Sequence, residues 1–263
     1  MSESKLKYIN AINILVTAKS NALQTIYDAF GGDWERAWRG NITKYIPRHR
    51  DAEGKLTTVN YAELQKKIDP EKEWRHLAGE GIELMTADDD DYPKPLRHIS
   101  DPPFLLYIRG SRKVLSEQCF GVVGTRALSE YGKRAALRIV PDIARAGFTI
   151  TSGLAAGIDT LAHKAALEVG AKTIAVLGTG IDDKTVFPAQ NLNLARKILE
   201  KYGTIISEYA PGVHGTRFSF PQRNRIISGL SRGVLVIEAD EQSGAMITAR
   251  CAAEQGRDVF AVP

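Results

Sequence analysis

The stretch Arg217–Ser231, RFSFPQRNRIISGLS, sets three arginines and two phenylalanines around one proline, directly ahead of an apolar helical run. Guanidinium groups form paired hydrogen bonds to phosphate and lie flat on aromatic rings, so this cluster offers the chemistry of anion and base recognition. Four glycine-bearing turns carry a related signal: Gly124-Thr125-Arg126 running to Ser129 and Gly132, Ser152-Gly153 running to Gly157 and Asp159, Gly178-Thr179-Gly180 running to Lys184, and Ser243-Gly244. Glycine lets backbone N–H groups approach a ligand and a helix N-terminus adds partial positive charge, so the four turns together are expected to face phosphate.

The standard nucleotide motifs do not fit. Gly178 and Gly180 lack the third glycine of a dinucleotide fingerprint, because Asp183 stands there. Gly132-Lys133 has Ala127 where a phosphate loop needs its first glycine, and Arg134 where it needs serine or threonine. The five histidines, His49, His76, His98, His163 and His214, have no ligand spacing, and Cys119 and Cys251 sit in apolar patterns without a Cys-x-x-Cys pair, so neither a metal site nor a disulfide framework is expected. His163 reads as a structural or polar-face residue. Asp159, Asp182 and Glu238 read as braces: Asp159 for the glycine turn, Asp182 for the loop before Lys184, Glu238 for the end of its strand. Acid–base chemistry stays open, and no cofactor is expected.

These residues need a scaffold. The 263 residues are 43% hydrophobic and 25% charged, enough for an ordinary globular core. The start lacks a basic segment followed by an apolar one and no long uncharged apolar run follows, so a cytoplasmic protein without a membrane span is expected. The formal charge is +4. Residues 1–120 hold 18 basic and 18 acidic side chains, leaving 35 − 18 = 17 basic and 31 − 18 = 13 acidic in 121–263, so the excess lies wholly in the second part. Such a surplus favours a polyanionic partner.

Apolar periodicity predicts short helices at 6–17, 20–30 and 33–38, with Ser20 as an N-cap and Gly31-Gly32 as a stop. A small helical domain is therefore expected over 1–86. Residues 87–103, with four consecutive aspartates and Pro93, Pro95, Pro102 and Pro103, read as a linker. Beyond it, strands are expected at 120–124, 148–151, 173–177, 204–208, 233–238 and 258–262, alternating with helices that start near Ser129, Ile158, Leu192, Asn224 and Gly244. Continuous apolar strands joined by helices predict an α/β, Rossmann-like doubly wound, mainly parallel sheet over 104–263, its ligand site at the strand C-terminal ends.

In this order the segments GTRALSEYG, SGLAAGID, GTGIDDKTVFPAQN, SEYAPG, FPQRNRIISGLS, EADEQSGAMITA and GRDVFAVP resemble the DNA-processing protein A (DprA/Smf) family. Thr125 stands where serine is usual and Phe187 where tyrosine is frequent; both keep the chemistry. The resemblance implies a sterile-alpha-motif-like N-terminal domain and a protein, not an enzyme, that binds single-stranded DNA and loads the recombinase RecA during natural transformation. It also implies a homodimer, and in many members a winged-helix domain after the Rossmann-like one, which is expected to be absent here. Arg126, Lys184, Phe187 and Asn191 map by resemblance to the nucleic-acid pocket, with Gly124, Thr125, Ser152, Gly153, Arg223 and Arg225 completing its wall. Within the opening cluster, Phe220 is assigned to packing and Arg223 to DNA, while Arg225 is divided between DNA and a pair with Glu208 or Glu238. The competing reading is a phosphoribohydrolase-like nucleotide enzyme, whose paired glycines and spaced glutamate are missing from Glu238-Ala-Asp-Glu-Gln-Ser-Gly-Ala.

Overall fold

The computed structural model describes residues 3–17, 21–46, 49–50, 56–57 and 60–263. The chain divides into two compact units, Met1–Leu84 and Met85–Pro263. In the first, α1 (Glu3–Val16) buries Ile9, Ile12 and Val16 at helical spacing, and α2 (Ala22–Phe30) ends on Gly31 and Gly32, whose φ values of 62° and 75° suit glycine. Ser20, the expected cap of α2, lies outside the described residues. Asp33 caps α3 (Trp34–Arg39) by accepting from the Arg36 amide at 3.0 Å. An antiparallel pair, β1 (His49–Arg50) and β2 (Leu56–Thr57), precedes α4 (Tyr61–Gln65) and α5 (Pro70–Gly79).

The rest of the chain builds β3 (Glu83–Thr86), α6 (Lys94–Arg97), β4 (Leu105–Gly110), β5 (Cys119–Val123), α7 (Glu130–Arg145), β6 (Thr149–Ser152), α8 (Ile158–Glu168) and β7 (Thr173–Gly180). There follow α9 (Leu192–Glu200), β8 (Thr204–Tyr209), α10 (Ser219–Leu230), β9 (Ser231–Val236), α11 (Gly244–Glu254) and β10 (Asp258–Ala261). The sheet order is β10-β9-β5-β6-β7-β8-β4-β3. Strands β10, β9, β5, β6, β7 and β8 pair in parallel and β4 joins β8 antiparallel, so the fold is the expected α/β, Rossmann-like one.

Alternation along the strands feeds two cores. Val123, Val234 and Val236 meet Ile226, Ile227 and Leu230 of α10 and Ala245, Ala249 and Ala252 of α11. Their strand neighbours Val122 and Leu235 meet Ala136 and Val140 of α7 and Ile158 and Ala162 of α8. Period-two side chains on strands covered on both faces produce this division.

Two readings are corrected here. Residues 87–103 are no free linker: Tyr92, Leu96 and Ile99 are buried in the core with α10, and the Tyr92 hydroxyl donates to the Pro103 carbonyl at 2.7 Å. The prolines limit regular structure to one helical turn without preventing burial. Arg112 holds Asp89 and Asp91 at 3.0 and 2.6 Å, and its hydrogen bond keeps the Asp91 carboxyl below the usual carboxylate range. Second, α10 starts at Ser219, five residues ahead of the expected Asn224. Pro221 falls in the first turn, where its missing N–H costs nothing, and Thr216 and Ser219 exchange side-chain-to-amide hydrogen bonds at 2.8 and 3.1 Å.

Candidate nucleic-acid interface

The chain runs β5, β6, β7, β8 outward in one direction and then returns to lay β9 on the other side of β5. Helices following strands on the two sides of this reversal cover opposite faces and leave a crevice beyond the strand ends. There the structure holds a cavity of about 670 Å³, lined by Gly124, Thr125 and Arg126 after β5, Phe187 after β7, Arg217, Phe220 and Arg223 around the start of α10, and Ser243, Gly244, Ala245, Ile247 and Thr248 around the start of α11.

Cations and aromatic rings form the exposed part of the lining. The Arg126 guanidinium lies 5.7 Å from the centre of the Phe220 ring, and Phe187 lies 5.5 Å from the same ring at a 42° tilt. Beside the cavity Arg217 covers Phe218, which does not line it, at 4.8 Å, and Phe187 and Phe218 are 52% and 65% exposed, uncommonly open for rings of this size. Flat apolar faces beside guanidinium groups suit a base and its phosphate together.

The buried part has a different character. Arg223 is 4% exposed and donates through Nη1 to the carbonyls of Gly153 (2.7 Å) and Val176, and through Nε to Asn224 Oδ1 at 3.2 Å. Burial lowers its pKa to about 10, a value that leaves it charged at neutral pH. Asp159 accepts from the amides of Gly153 and Ala155 at 3.1 and 3.3 Å; burial raises its pKa while the Arg223 charge opposes the rise. Asp159 thus braces the turn as expected. Arg223, assigned to DNA from sequence, is chiefly a structural tie whose guanidinium lies so close to Gly153 that a Cβ there would fall 2.4 Å from Nη1.

Several other assignments change. Ser152 is buried and donates to the Val122 carbonyl at 2.6 Å. Asn191 donates to the carbonyls of Leu154 (2.8 Å) and Ala155 (3.2 Å) and to Thr160 Oγ1 (2.8 Å), fastening the β6–α8 turn rather than facing a ligand. Arg225 resolves to the ion pair: Nη1 and Nη2 reach the two Glu208 oxygens at 2.7 and 2.8 Å, and Nε reaches Asp101 at 3.0 Å. Lys184 is exposed on the loop after β7 but does not line the cavity; β6 separates β5 from β7, placing their axes about 10 Å apart.

The glycine turns also act otherwise than expected. A Cβ on Gly124 would sit 2.5 Å from Ile158, and one on Gly178 would sit 2.9 Å from Phe220. Their neighbouring donors are already engaged: the Thr125 amide by the Glu238 carbonyl (2.7 Å), the Ser129 amide by the Glu238 carboxylate (3.2 Å), the Gly180 amide by the Val213 carbonyl (2.6 Å). These glycines permit close packing of strand ends against helices. Only at α11 is the glycine open, with nothing within 4 Å of a Cβ on Gly244. Arg217 and Phe220 were not singled out for the cavity from sequence, because the proline ahead of a helix does not reveal which way the preceding rings turn.

The sequence matches the family described as DNA recombination-mediator protein A over residues 83–263, well over half of its length. The chain belongs to that family. Among family relatives, Protein Smf of Escherichia coli K12 is 48% identical over 180 residues, covering 68% of this chain and 48% of that protein. DNA processing protein DprA of Bacillus subtilis is 42% identical over 185 residues, covering 70% and 61%. The chain spans about half the length of the Smf proteins of Escherichia coli and Synechocystis. The X-ray structure of DNA processing protein A from Streptococcus pneumoniae superimposes with a TM-score of 0.78 at 33% identity, covering all of this chain and 87% of that one. A Helicobacter pylori DNA processing protein A structure, described for its single-stranded DNA binding mode, gives 0.61 at 30% identity, covering 69% and 81%. Among the described residues no helix is long and apolar enough to cross a membrane, and no group of His, Cys, Asp and Glu could hold a metal ion.

Proposed function

We propose that this protein binds single-stranded DNA at the switch-point cavity and serves as a recombination mediator. In this reading it protects incoming DNA and loads RecA during natural transformation, acts as a homodimer in the cytoplasm, and turns over no substrate. The observation that carries the proposal is the Arg126–Phe220–Phe187 arrangement at the cavity, a cation and two rings on one edge of the sheet. Family membership supports the mediator role. The phosphoribohydrolase-like reading would need a free carboxylate at the cavity, whereas Asp159 there is committed to two backbone amides.

Fluorescence anisotropy with oligo-dT and a blunt duplex tests the core claim. Binding to the single strand is expected to be the tighter, and to weaken with salt by a log–log slope of about −0.7 for each phosphate neutralised. Equal affinity for the duplex, or indifference to salt, would sink it. Phe187→Ala is expected to weaken oligo-dT binding by about 1–3 kcal/mol if its ring stacks on a base, with the same titration on an abasic strand showing no such loss. A concentration-independent monomer mass by light scattering would remove the homodimer, and failure to promote RecA-dependent strand exchange on protein-coated single strands would remove the loading role.

A further inference from the structure

The loop between β7 and α9 carries Lys184 and Phe187, and two adjacent aspartates hold it from opposite sides. Asp182 is buried and accepts from Thr185 Oγ1 and the Gly212 amide, both at 2.7 Å. Asp183 is partly exposed and turns the other way. Its Oδ1 accepts from Arg109 Nη1 at 2.7 Å and its Oδ2 from Arg196 Nε and Nη2 at 3.0 and 2.9 Å. Arg109 belongs to β4 and Arg196 to α9, and Arg109 Nη1 also donates to the Ile181 carbonyl at 3.3 Å. The loop is therefore tied through Asp183, near its start, both to the antiparallel strand β4 and to its own following helix α9.

A carboxylate on a loop that also offers a lysine to a polyanion is electrostatically unfavourable for binding, since like charges repel. Its geometry supplies the compensation. Thr185 and Val186 are buried, but Phe187 is 52% exposed, so packing against Phe220 leaves about half of its surface open. A loop with an exposed ring and no such anchors would lose affinity each time it ordered on binding.

We propose that Asp183 is a positioning residue for DNA binding, clamping the loop between Arg109 and Arg196 so that the Phe187 ring is held at the cavity before a strand arrives. The inference rests on the single-stranded DNA reading above. The hydrogen bonds from Arg109 and Arg196 also keep the Asp183 carboxyl below the usual carboxylate range, so the clamp stays charged at neutral pH.

The sign of the effect separates position from charge. Were Asp183 only a nearby negative charge, Asp183→Asn would bind a polyanion more tightly; as a positioning residue, its replacement weakens binding. The experiment is a double-mutant cycle by anisotropy on oligo-dT with the parent, Asp183→Asn, Phe187→Ala and the double variant, repeated on an abasic strand. Asp183→Asn is expected to weaken oligo-dT binding about fivefold in the parent and by less than about twofold in the Phe187→Ala background, the mark of two residues acting as one unit. On the abasic strand no loss is expected. Thermal melting checks that each variant is folded at the assay temperature; should Asp183→Asn unfold, Arg196→Met, which opens one side of the clamp from an exposed position, replaces it and is read by its coupling to Phe187→Ala alone, since losing a cation weakens polyanion binding in any case. Unchanged or tighter oligo-dT binding, or the same loss in both backgrounds, overturns the inference. A parent that binds no single strand overturns the proposed function itself, and the clamp with it; a parent that binds while the cycle shows no coupling overturns the clamp alone.

Discussion

Arg225→Ala is expected to lower the free energy of unfolding by about 3–5 kcal/mol, because removing one partner of a buried ion pair leaves the other charge uncompensated. The side chains of Arg225 and Glu208 are 12% and 13% exposed, and Asp101 completes the group at 3.0 Å. Burial opposes the guanidinium charge and Glu208 more than offsets it, so the Arg225 pKa is raised. Guanidinium denaturation of parent and variant measures the loss. Arg225→Lys is expected to recover only part of it, since an ammonium cannot match the paired carboxylate oxygens. Below the unfolding transition, the affinity of Arg225→Ala for oligo-dT should equal that of the parent. A variant of parental stability with weakened DNA binding would return Arg225 to the interface.

Arg126→Ala is expected to behave in the opposite way. Its side chain is exposed and lies over the face of Phe220, so truncation should move the stability by only about 0.5 kcal/mol. A charge-assisted contact to phosphate is worth about 1.5–3 kcal/mol, so affinity for oligo-dT should fall roughly tenfold to a hundredfold. Lys184→Ala should show a smaller loss, since Lys184 stands off the cavity lining. Parental affinity in Arg126→Ala, or a loss that only follows a collapsed melting temperature, would move the site elsewhere.

The sheet was legible because its strands are nearly continuous apolar runs between turn residues: β5 to β10 stand where FGVVG, FTIT, TIAVL, TIISE, GVLVIE and DVFAV read as strands. β3 and β4 were not, since prolines and aspartates around them suggested a connecting segment and an antiparallel strand such as β4 leaves no crossover helix behind it. The site was legible only in outline. Arg223 and Arg225 are two residues apart on α10, about 200° around the helix axis, and sequence does not reveal which of the two directions points to the cavity. The structure sends Arg223 under the strand ends and Arg225 to Glu208. Asn191 misled for a related reason: an amide after a glycine-rich loop is as well suited to holding carbonyls of a neighbouring turn as to holding a ligand.

The return of β9 to the side of β5 has a thermodynamic consequence. Val122 pairs with Leu235 and Val123 with Val236, so the two walls of the cavity come from parts of the chain distant in sequence that meet only when β9 has paired with β5. A ligand lodged between them binds the closed state and not the open one, and mass action then transfers its binding energy to the global folding equilibrium. Occupancy should therefore slow amide exchange along β5 and β9 together, far from any atom the ligand touches, and not merely in the loops at the cavity.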